Sequence, residues 1–581
     1  MPEPITRAER RWVLLVAAAI MLFTCLPYLV AMQPGFAGPG LHFQGFIWGV
    51  DDGNVYRSYI QQHAQGAFFV RNQYTLEPQT PRFVNLLFLS MGAVVRLTGL
   101  NSALVYHLFR LVLGVVLLYL VYLLAAEIGL RRWGRWLALL LAGLSSGLGW
   151  LVYLQVTGGA MAPEAANRLA PVDVAAGWQA MPEALTFPTL LLNALFVAGV
   201  ALMAAVVLWA LRAAREPGLR APVICGLLLL VLGNVHSYDV IVLYLLVAAW
   251  LVFAAARGQL PWGAAVGRYA LIGLLGAPSM LWQYHVQTVD PTWAAKYAVA
   301  KASPSLSGYL LGYGLVLLLA VIGAGYALHR ARRPAPEGDG GRRAEVLLPV
   351  FWLALGAILL YAPLGFQRKL AEGLHLPMCL LAALALERWA RRLPASSRPL
   401  LAAGVLVLTV PSNLFFMADC LAHMRVNNRD LAAVLLPPAY LSTEELAGVD
   451  YLAQHTGRDD IILCSSLMGN HLPPAISGRV VAGHWDETIH FGKYLSFTAD
   501  FYRPGASPAT RRQVLAATHA GWVVWGPEER LLQQMLSADA PGGPQTADPA
   551  ADLPELRPVF TEGDMVIYAV TPFLPPAPRG T

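Results

Sequence analysis

The stretch Gly49-Val50-Asp51-Asp52-Gly53-Asn54-Val55-Tyr56 follows the first hydrophobic segment of the chain and reads as a polar loop. If that segment crosses a membrane, two adjacent carboxylates lie at the bilayer surface. Both must then be solvated, paired or bound to a cation. Working outward from this pair decides the fold.

The chain has 581 residues, 57% hydrophobic and 13% charged, with a mean hydropathy of +0.52. Soluble domains carry about 25% charged residues, so this is an integral membrane protein. Several apolar stretches approach or exceed the roughly 20 residues that span a bilayer as a helix. The net charge of +6 is no nucleic-acid signature, because the arginines cluster between hydrophobic segments, the pattern of cytoplasmic loops. Five cysteines are too few for a disulfide framework. Cys420 and Cys464, beyond the last apolar segment, are either free or paired. The first segment, residues 12–32, is longer than the ~7–15 residues of a signal core and reads as a retained helix.

Charge sets the topology. Arg7, Arg10 and Arg11 place the N-terminus in the cytoplasm and the next loop, 33–103, outside. Its apolar piece, 83–95, reads as an interfacial helix, with Arg82 and Arg96 snorkelling to the headgroups. Were it a span, Arg131, Arg132 and Arg135 would fall outside. Further spans follow at 104–126, 136–157, 187–211, 269–287, 308–328, 346–364, 374–390 and 399–419. Segment 221–256 divides into two at His236-Ser237-Tyr238-Asp239. That gives about eleven transmembrane helices over residues 1–420, with the C-terminus outside. An external loop at 158–186 carries Glu164, Asp173 and Glu183, and 329–343 is a flexible cytoplasmic linker. All four lysines (Lys296, Lys301, Lys369, Lys493) fall outside. No internal repeat is visible, which weighs against a transporter of duplicated halves.

From 421 onward the apolar runs shorten to strand length, at 461–465, 480–482, 522–525 and 565–570, with helical patterns at 443–455, 487–501 and 508–519. Gly563-Asp564 reads as a hairpin turn. Residues 421–581 are therefore expected to form an extracytoplasmic α/β domain. A mobile loop is expected at 537–556 and a disordered tail after 572.

Arginine topology alone brings Asp51-Asp52, Glu77, Glu183, His236, Asp239, Gln367-Arg368-Lys369, Glu372 and His375 to the outer face. Ionisable groups gathered at helix ends mark function by default. Each has a plainer reading. Asp51-Asp52 is either an ordinary Asp-Gly turn, or a general base or ligand for a hard cation. His236 and Asp239 are either a helix cap or a substrate contact. Arg368-Lys369 are either interfacial anchors or a phosphate site, Arg giving a bidentate donor and Lys a point charge. Glu372, four residues after Arg368, pairs with it if the segment is helical. Arg110, inside a span, needs a partner, and Asp52 is a candidate. Phe46, Trp48, Trp178, Trp282, Tyr284 and Trp293 form either interface belts or a sugar-stacking pocket.

The layout resembles the GT-C superfamily of membrane glycosyltransferases, such as the protein O-mannosyltransferases and aminoarabinose transferases. Asp51-Asp52 occupies the place of that family's acidic motif, and 81–99 leading into 103–110 looks like its juxtamembrane helix. The resemblance implies sugar transfer from a polyprenyl-phosphate carrier in the lipid bilayer to an acceptor outside a bacterial cell membrane. Asp51 or Asp52 would activate the acceptor hydroxyl, or the pair would hold a divalent cation (Mg or Mn). Arg368 and Lys369 would stabilise the leaving lipid phosphate. Placement adds Gln367, His236, Asp239, Glu183 and Glu77 to the substrate-binding set. The oligosaccharyltransferase signature Trp-Trp-Asp-Tyr-Gly is absent, and Trp485-Asp486-Glu487 is not that motif, which argues against peptide N-glycosylation. The rival readings are a non-catalytic flippase of a lipid-linked saccharide and a cell-envelope scaffold with a binding outer domain.

Overall fold

The computed structural model describes residues 4–162, 165, 166, 169, 172, 181–332, 342–537 and 546–571. Glu164, Asp173, Trp178, most of the expected 329–343 linker, the stretch 538–545 and the tail from 572 lie outside the described residues. Among those described, nine helices are long and apolar enough to cross a membrane: Arg7–Ala31, Ser102–Glu127, Arg132–Thr157, Ala194–Arg215, Asp239–Ala256, Trp262–Val289, Leu306–Arg332, Gln367–Ala390 and Ala395–Arg425. Two shorter apolar helices, Arg220–Val235 and Ala344–Leu359, stand where further spans are expected. The chain is a multi-pass α-helical membrane protein.

Burial separates the middle of the bundle from its rim. The apolar window of Gln367–Ala390 is wholly buried and that of Ala194–Arg215 is 78% buried, against 22% for Trp262–Val289 and 28% for Ala395–Arg425. The first two are packed on all sides by other helices, and the last two offer their apolar surface outward, as lipid-facing helices do. The arginine-rich end is knit by ion pairs of Arg212 and Arg215 with Glu127, of Arg215 with Glu345, each at 3.0 Å, and of Arg135 with Glu9 at 3.5 Å. Arg110 does not reach Asp52. Its guanidinium donates to Thr24 Oγ1 at 2.8 Å and to the Leu190 carbonyl, so the charge is met by oxygens of its own neighbourhood.

The first loop is not irregular at the acidic pair. Val50–Ala64 is a helix, and Leu86–Thr98, only about 20 Å long, packs against it. Strand β1 (Leu41–Phe43) of this loop pairs antiparallel with β2 (Tyr440–Ser442), just after the last membrane helix. Beyond it lies a five-stranded sheet made of β3 (Ile461–Leu463), β4 (Arg479–Val480), β5 (Trp522–Trp525), β6 (Leu556–Glu562) and β7 (Met565–Val570), in the order β4-β3-β5-β7-β6. β3 runs parallel to β4 and β5, and β7 runs antiparallel to β5 and β6. Gly563, in the left-handed region at φ 52°, makes the turn between β6 and β7. Helices Thr443–His455, Phe491–Tyr502 and Pro508–Thr518 match the expected patterns. Cys420 and Cys464 are buried free thiols and do not pair.

First loop and sheet region interlock. Val480 N–H donates to the Gln73 carbonyl at 3.0 Å, Asn54 Nδ2 donates to Asn470 Oδ1 at 2.8 Å, and Asn72 Nδ2 donates to the Glu487 carbonyl at 2.7 Å. These contacts hold the acidic pair under the α/β part.

Candidate active site

Asp51 and Asp52 sit in the first turn of Val50–Ala64, where unpaired backbone N–H groups and the helix dipole favour negative charge. Gly49, at φ 58°, turns the chain into this helix in a conformation that a β-carbon would strain. Gly53 lies flat on the Phe46 ring, where a β-carbon would come within 2.6 Å of ring atoms. Successive helix residues point about 100° apart. Asp51 is accordingly buried, while Asp52 is half exposed and lines two adjoining cavities.

Both acids face His484, from the segment after β4. Its Nε2 lies 3.3 Å from Asp52 Oδ1 and 3.6 Å from Asp51 Oδ2. Its Nδ1 accepts from the backbone N–H groups of Asp486 at 3.0 Å and Glu487 at 3.2 Å. With Nδ1 turned to the backbone, Nε2 is the nitrogen that faces the carboxylates. Burial works against a charged ring, but Asp52 and Asp51 outweigh it and push His484 up to about 9. The two acids diverge. Burial pushes Asp51 above the usual carboxylate range. Burial acts on Asp52 in the same sense, but His484, aided by the charges of Lys369 and Lys296, holds it below that range.

Lys296 pairs with Glu487 and Lys301 with Asp486, the latter at 3.2 Å. Glu487 also accepts from Tyr59 Oη at 3.3 Å. Across the first cavity, Arg368 Nε donates to Glu183 Oε1 at 3.0 Å, and Lys369 Nζ lies 3.8 Å from the same oxygen. Glu183 is buried, which opposes ionisation, but Arg368 and Lys369 outweigh this and hold it below the usual range. Asp52, Glu183, Arg368 and Lys369 line that cavity with Phe46, Trp48 and Tyr56. The second cavity adds His236, Lys296, Lys301 and His484, and the two share Asp52, Tyr56, Phe196 and Lys369.

Not every expected residue comes here. Glu77 accepts from Tyr494 Oη at 2.9 Å and lines neither cavity. The side chain of Gln367 is taken up by the Ser303 N–H and the Ala362 carbonyl, so it shapes the turn instead of facing the cavities. Arg368 pairs with Glu183 and not with Glu372, because Gln367–Ala371 is a 3-10 turn and breaks the i,i+4 spacing. His375 is buried beside Thr186 Oγ1 at 3.0 Å. Trp293 is buried on Phe83, Trp282 stacks on Phe69, and Tyr284 is exposed. Only Phe46 and Trp48 of the expected aromatics line the first cavity. His236 and Asp239 do meet, Nδ1 to Oδ2 at 3.0 Å, and Glu372 joins them, 3.4 Å from His236 Nδ1. His484, Lys296, Lys301, Asp486 and Glu487 were not foreseen as site residues. The signals for them were the two external lysines and the crowding of charge in His484-Trp485-Asp486-Glu487.

At the cation site expected on Asp51 and Asp52, His484 Nε2 stands 3.6 and 3.3 Å from the two carboxylates, and lysine charge is close to Asp52. Among the described residues, the group with the spacing to hold a divalent metal is His236, Asp239 and Glu372.

The fold is that of the GT-C membrane glycosyltransferases. The chain is similar over 93% of its length, with a TM-score of 0.54 and 13% identity, to 72% of the Archaeoglobus fulgidus oligosaccharyltransferase tethered to an acceptor peptide. It is similar over 99% of its length, with a TM-score of 0.53 and 16% identity, to the mycobacterial arabinofuranosyltransferase AftD, covering 42% of that longer chain. For ArnT from Cupriavidus metallidurans bound to undecaprenyl phosphate, the TM-score is 0.50 at 14% identity, over 95% of this chain and 97% of that one. A family of unknown function (DUF6541) matches residues 339–572, a span that holds Arg368, Lys369, Glu372 and His484 but not the acidic pair. No curated protein matches the chain.

Proposed function

We propose that this protein is a membrane glycosyltransferase that moves a sugar from a polyprenyl-phosphate carrier to an acceptor on the extracytoplasmic face. The observation that carries the reading is one cavity lined by Asp52 on one side and by Arg368 and Lys369 on another. The carriage of undecaprenyl phosphate by ArnT, a protein of the same fold, favours the lipid-linked donor. In this reading residues 1–420 form the membrane domain and 421–581 the outer domain. The arginine-paired end of the bundle, with the N-terminus, faces the cytoplasm.

Asp52 is the base. It is the exposed member of the pair and stays ionised at neutral pH, so it accepts the proton of the acceptor hydroxyl. The acceptor oxygen bonds to the anomeric carbon while the bond from that carbon to the carrier phosphate breaks, and the phosphate oxygen keeps the electron pair. Lys369 and Arg368 meet that charge, held in place by buried Glu183. Asp51, buried on the other side of His484, orients the imidazole. Trp48, Phe46 and Tyr56 supply stacking surface for the sugar.

The test is release of polyprenyl phosphate from a sugar-charged carrier by the purified full-length protein in liposomes. Asp52→Asn should lower turnover by about 10²–10⁴-fold, the range of a lost general base. Undiminished turnover in both Asp52→Asn and Asp51→Asn rejects the assignment.

A further inference from the structure

We infer that His236, Asp239 and Glu372 form a zinc-type metal site, separate from the acidic pair and independent of the transfer chemistry proposed above. His236 ends Arg220–Val235, Asp239 opens Asp239–Ala256, and Glu372 follows the 3-10 turn Gln367–Ala371. Three elements thus deliver one imidazole and two carboxylates to one point.

Charge is the first argument. Asp239 and Glu372 are each 1% exposed. His236 Nδ1 carries at most one proton, yet it faces both, at 3.0 and 3.4 Å. Among the described residues neither oxygen of Glu372 receives a hydrogen bond. Two buried carboxyl groups that share one donor are costly to ionise, and a dication removes that cost.

Geometry is the second. Ligand atoms at about 2.0–2.2 Å from a tetrahedral zinc are roughly 3.3–3.6 Å from one another. The His236–Glu372 separation falls in that range and the His236–Asp239 separation just below it. One ligand atom from each of the three residues lies within 4.8 Å of the others. Opposite them the chain has Gly199, where a β-carbon would come to 2.7 Å from Glu372 Oε1 and 3.1 Å from Asp239 Oδ2. The backbone at Gly199 packs close against the cluster and has no room for a β-carbon.

Ligand chemistry selects the ion. Imidazole suits zinc and its transition-metal neighbours, whereas magnesium and calcium take oxygen sets. Three protein ligands leave a fourth position, and His236 lines the second cavity. The ion ties the break at 236–239 to the turn that presents Arg368 and Lys369.

Full-length protein in detergent is loaded with zinc, passed over chelating resin and assayed for metal by mass spectrometry. About one equivalent is expected in the wild type and in Asp52→Asn, with at least a tenfold loss in Glu372→Gln and His236→Gln. Gly199→Ala keeps every ligand but pushes on the Glu372 and Asp239 carboxylates, and should lose the ion as well. Cobalt added to the wild type should give the visible bands of a tetrahedral site. A wild type that holds neither metal overturns the proposal. Zinc retained by Glu372→Gln, or lost from Asp52→Asn, overturns it equally. Carrier turnover is read on the same samples, so failure of the metal site and failure of the transferase reading are told apart.

Discussion

Two imidazoles stand between pairs of carboxylates beside the same cavity, and they are served in opposite ways. At His484 the backbone N–H groups of Asp486 and Glu487 occupy Nδ1, so the remaining ring nitrogen faces Asp51 and Asp52. Lys296 and Lys369 add charge beside Asp52. At His236 the nitrogen facing the acids has no competing backbone donor, and Glu372 is left without hydrogen bonds. A carboxylate set among positive side chains is held ready to take a proton, whereas a buried carboxylate without hydrogen bonds asks for a cation.

The largest difference should appear when one acid of each cluster is neutralised. Asp52→Asn is expected to cost about 10²–10⁴-fold in carrier turnover, and Asp239→Asn less than about tenfold while it abolishes metal binding. Equal losses of turnover would merge the two clusters into one site.

His484→Gln should cost about 10–100-fold, the effect of a group that positions and polarises a base rather than being one. It should also change the pH profile. The His484 ring is raised in the folded protein to about 9, so its favourable interaction with the acids is fully present below the unfolded value near 6.5 and is lost as pH rises through about 9. Wild-type turnover should therefore fall on that alkaline limb. In the Gln variant the limb should be absent and the acid limb should move upward, because His484 no longer holds Asp52 down. A turnover profile from pH 4 to 10 decides it.

Arg368→Ala leaves Glu183 buried with Lys369 as its remaining cation. A loss of about 1–3 kcal/mol is expected, discounted because Arg368 is partly exposed. Thermal unfolding in detergent should show that Glu183→Gln added to Arg368→Ala recovers part of it. Simple additivity would mean that the pair is no structural unit. The smallest effect is from chelator on the wild type: a fall of a few degrees in the melting midpoint, matched in Asp52→Asn and absent in Glu372→Gln.

Which residues share one face was legible because positive-inside bias acts on each loop separately. Hydropathy and arginine alone brought Asp52, Glu183, His236 and Arg368-Lys369 to one face, and they do line the two cavities. Position within that face was not legible, because it depends on packing. Glu77 is turned toward Tyr494, and Arg110 is absorbed by Thr24 and the Leu190 carbonyl. The adjacent acids read as a loop because Asp-Gly favours turns, but Gly49 in the left-handed region starts a helix there. His484 was the hardest to foresee, since nothing local ties it to residues that precede it by more than four hundred positions.

That separation has a consequence for how the protein is made. β1 must wait for β2, and His42 of β1 and Thr443, the residue that follows β2, are 401 apart in the chain. At about 5–20 residues per second, synthesis takes roughly 20–80 s to cover that distance. Through that interval the nascent chain holds Asp51 and Asp52 without His484, and Lys296 without Glu487. The acids and His484 come together only as the last quarter of the chain leaves the ribosome, so a prematurely terminated product carries the acidic pair without its completed surroundings.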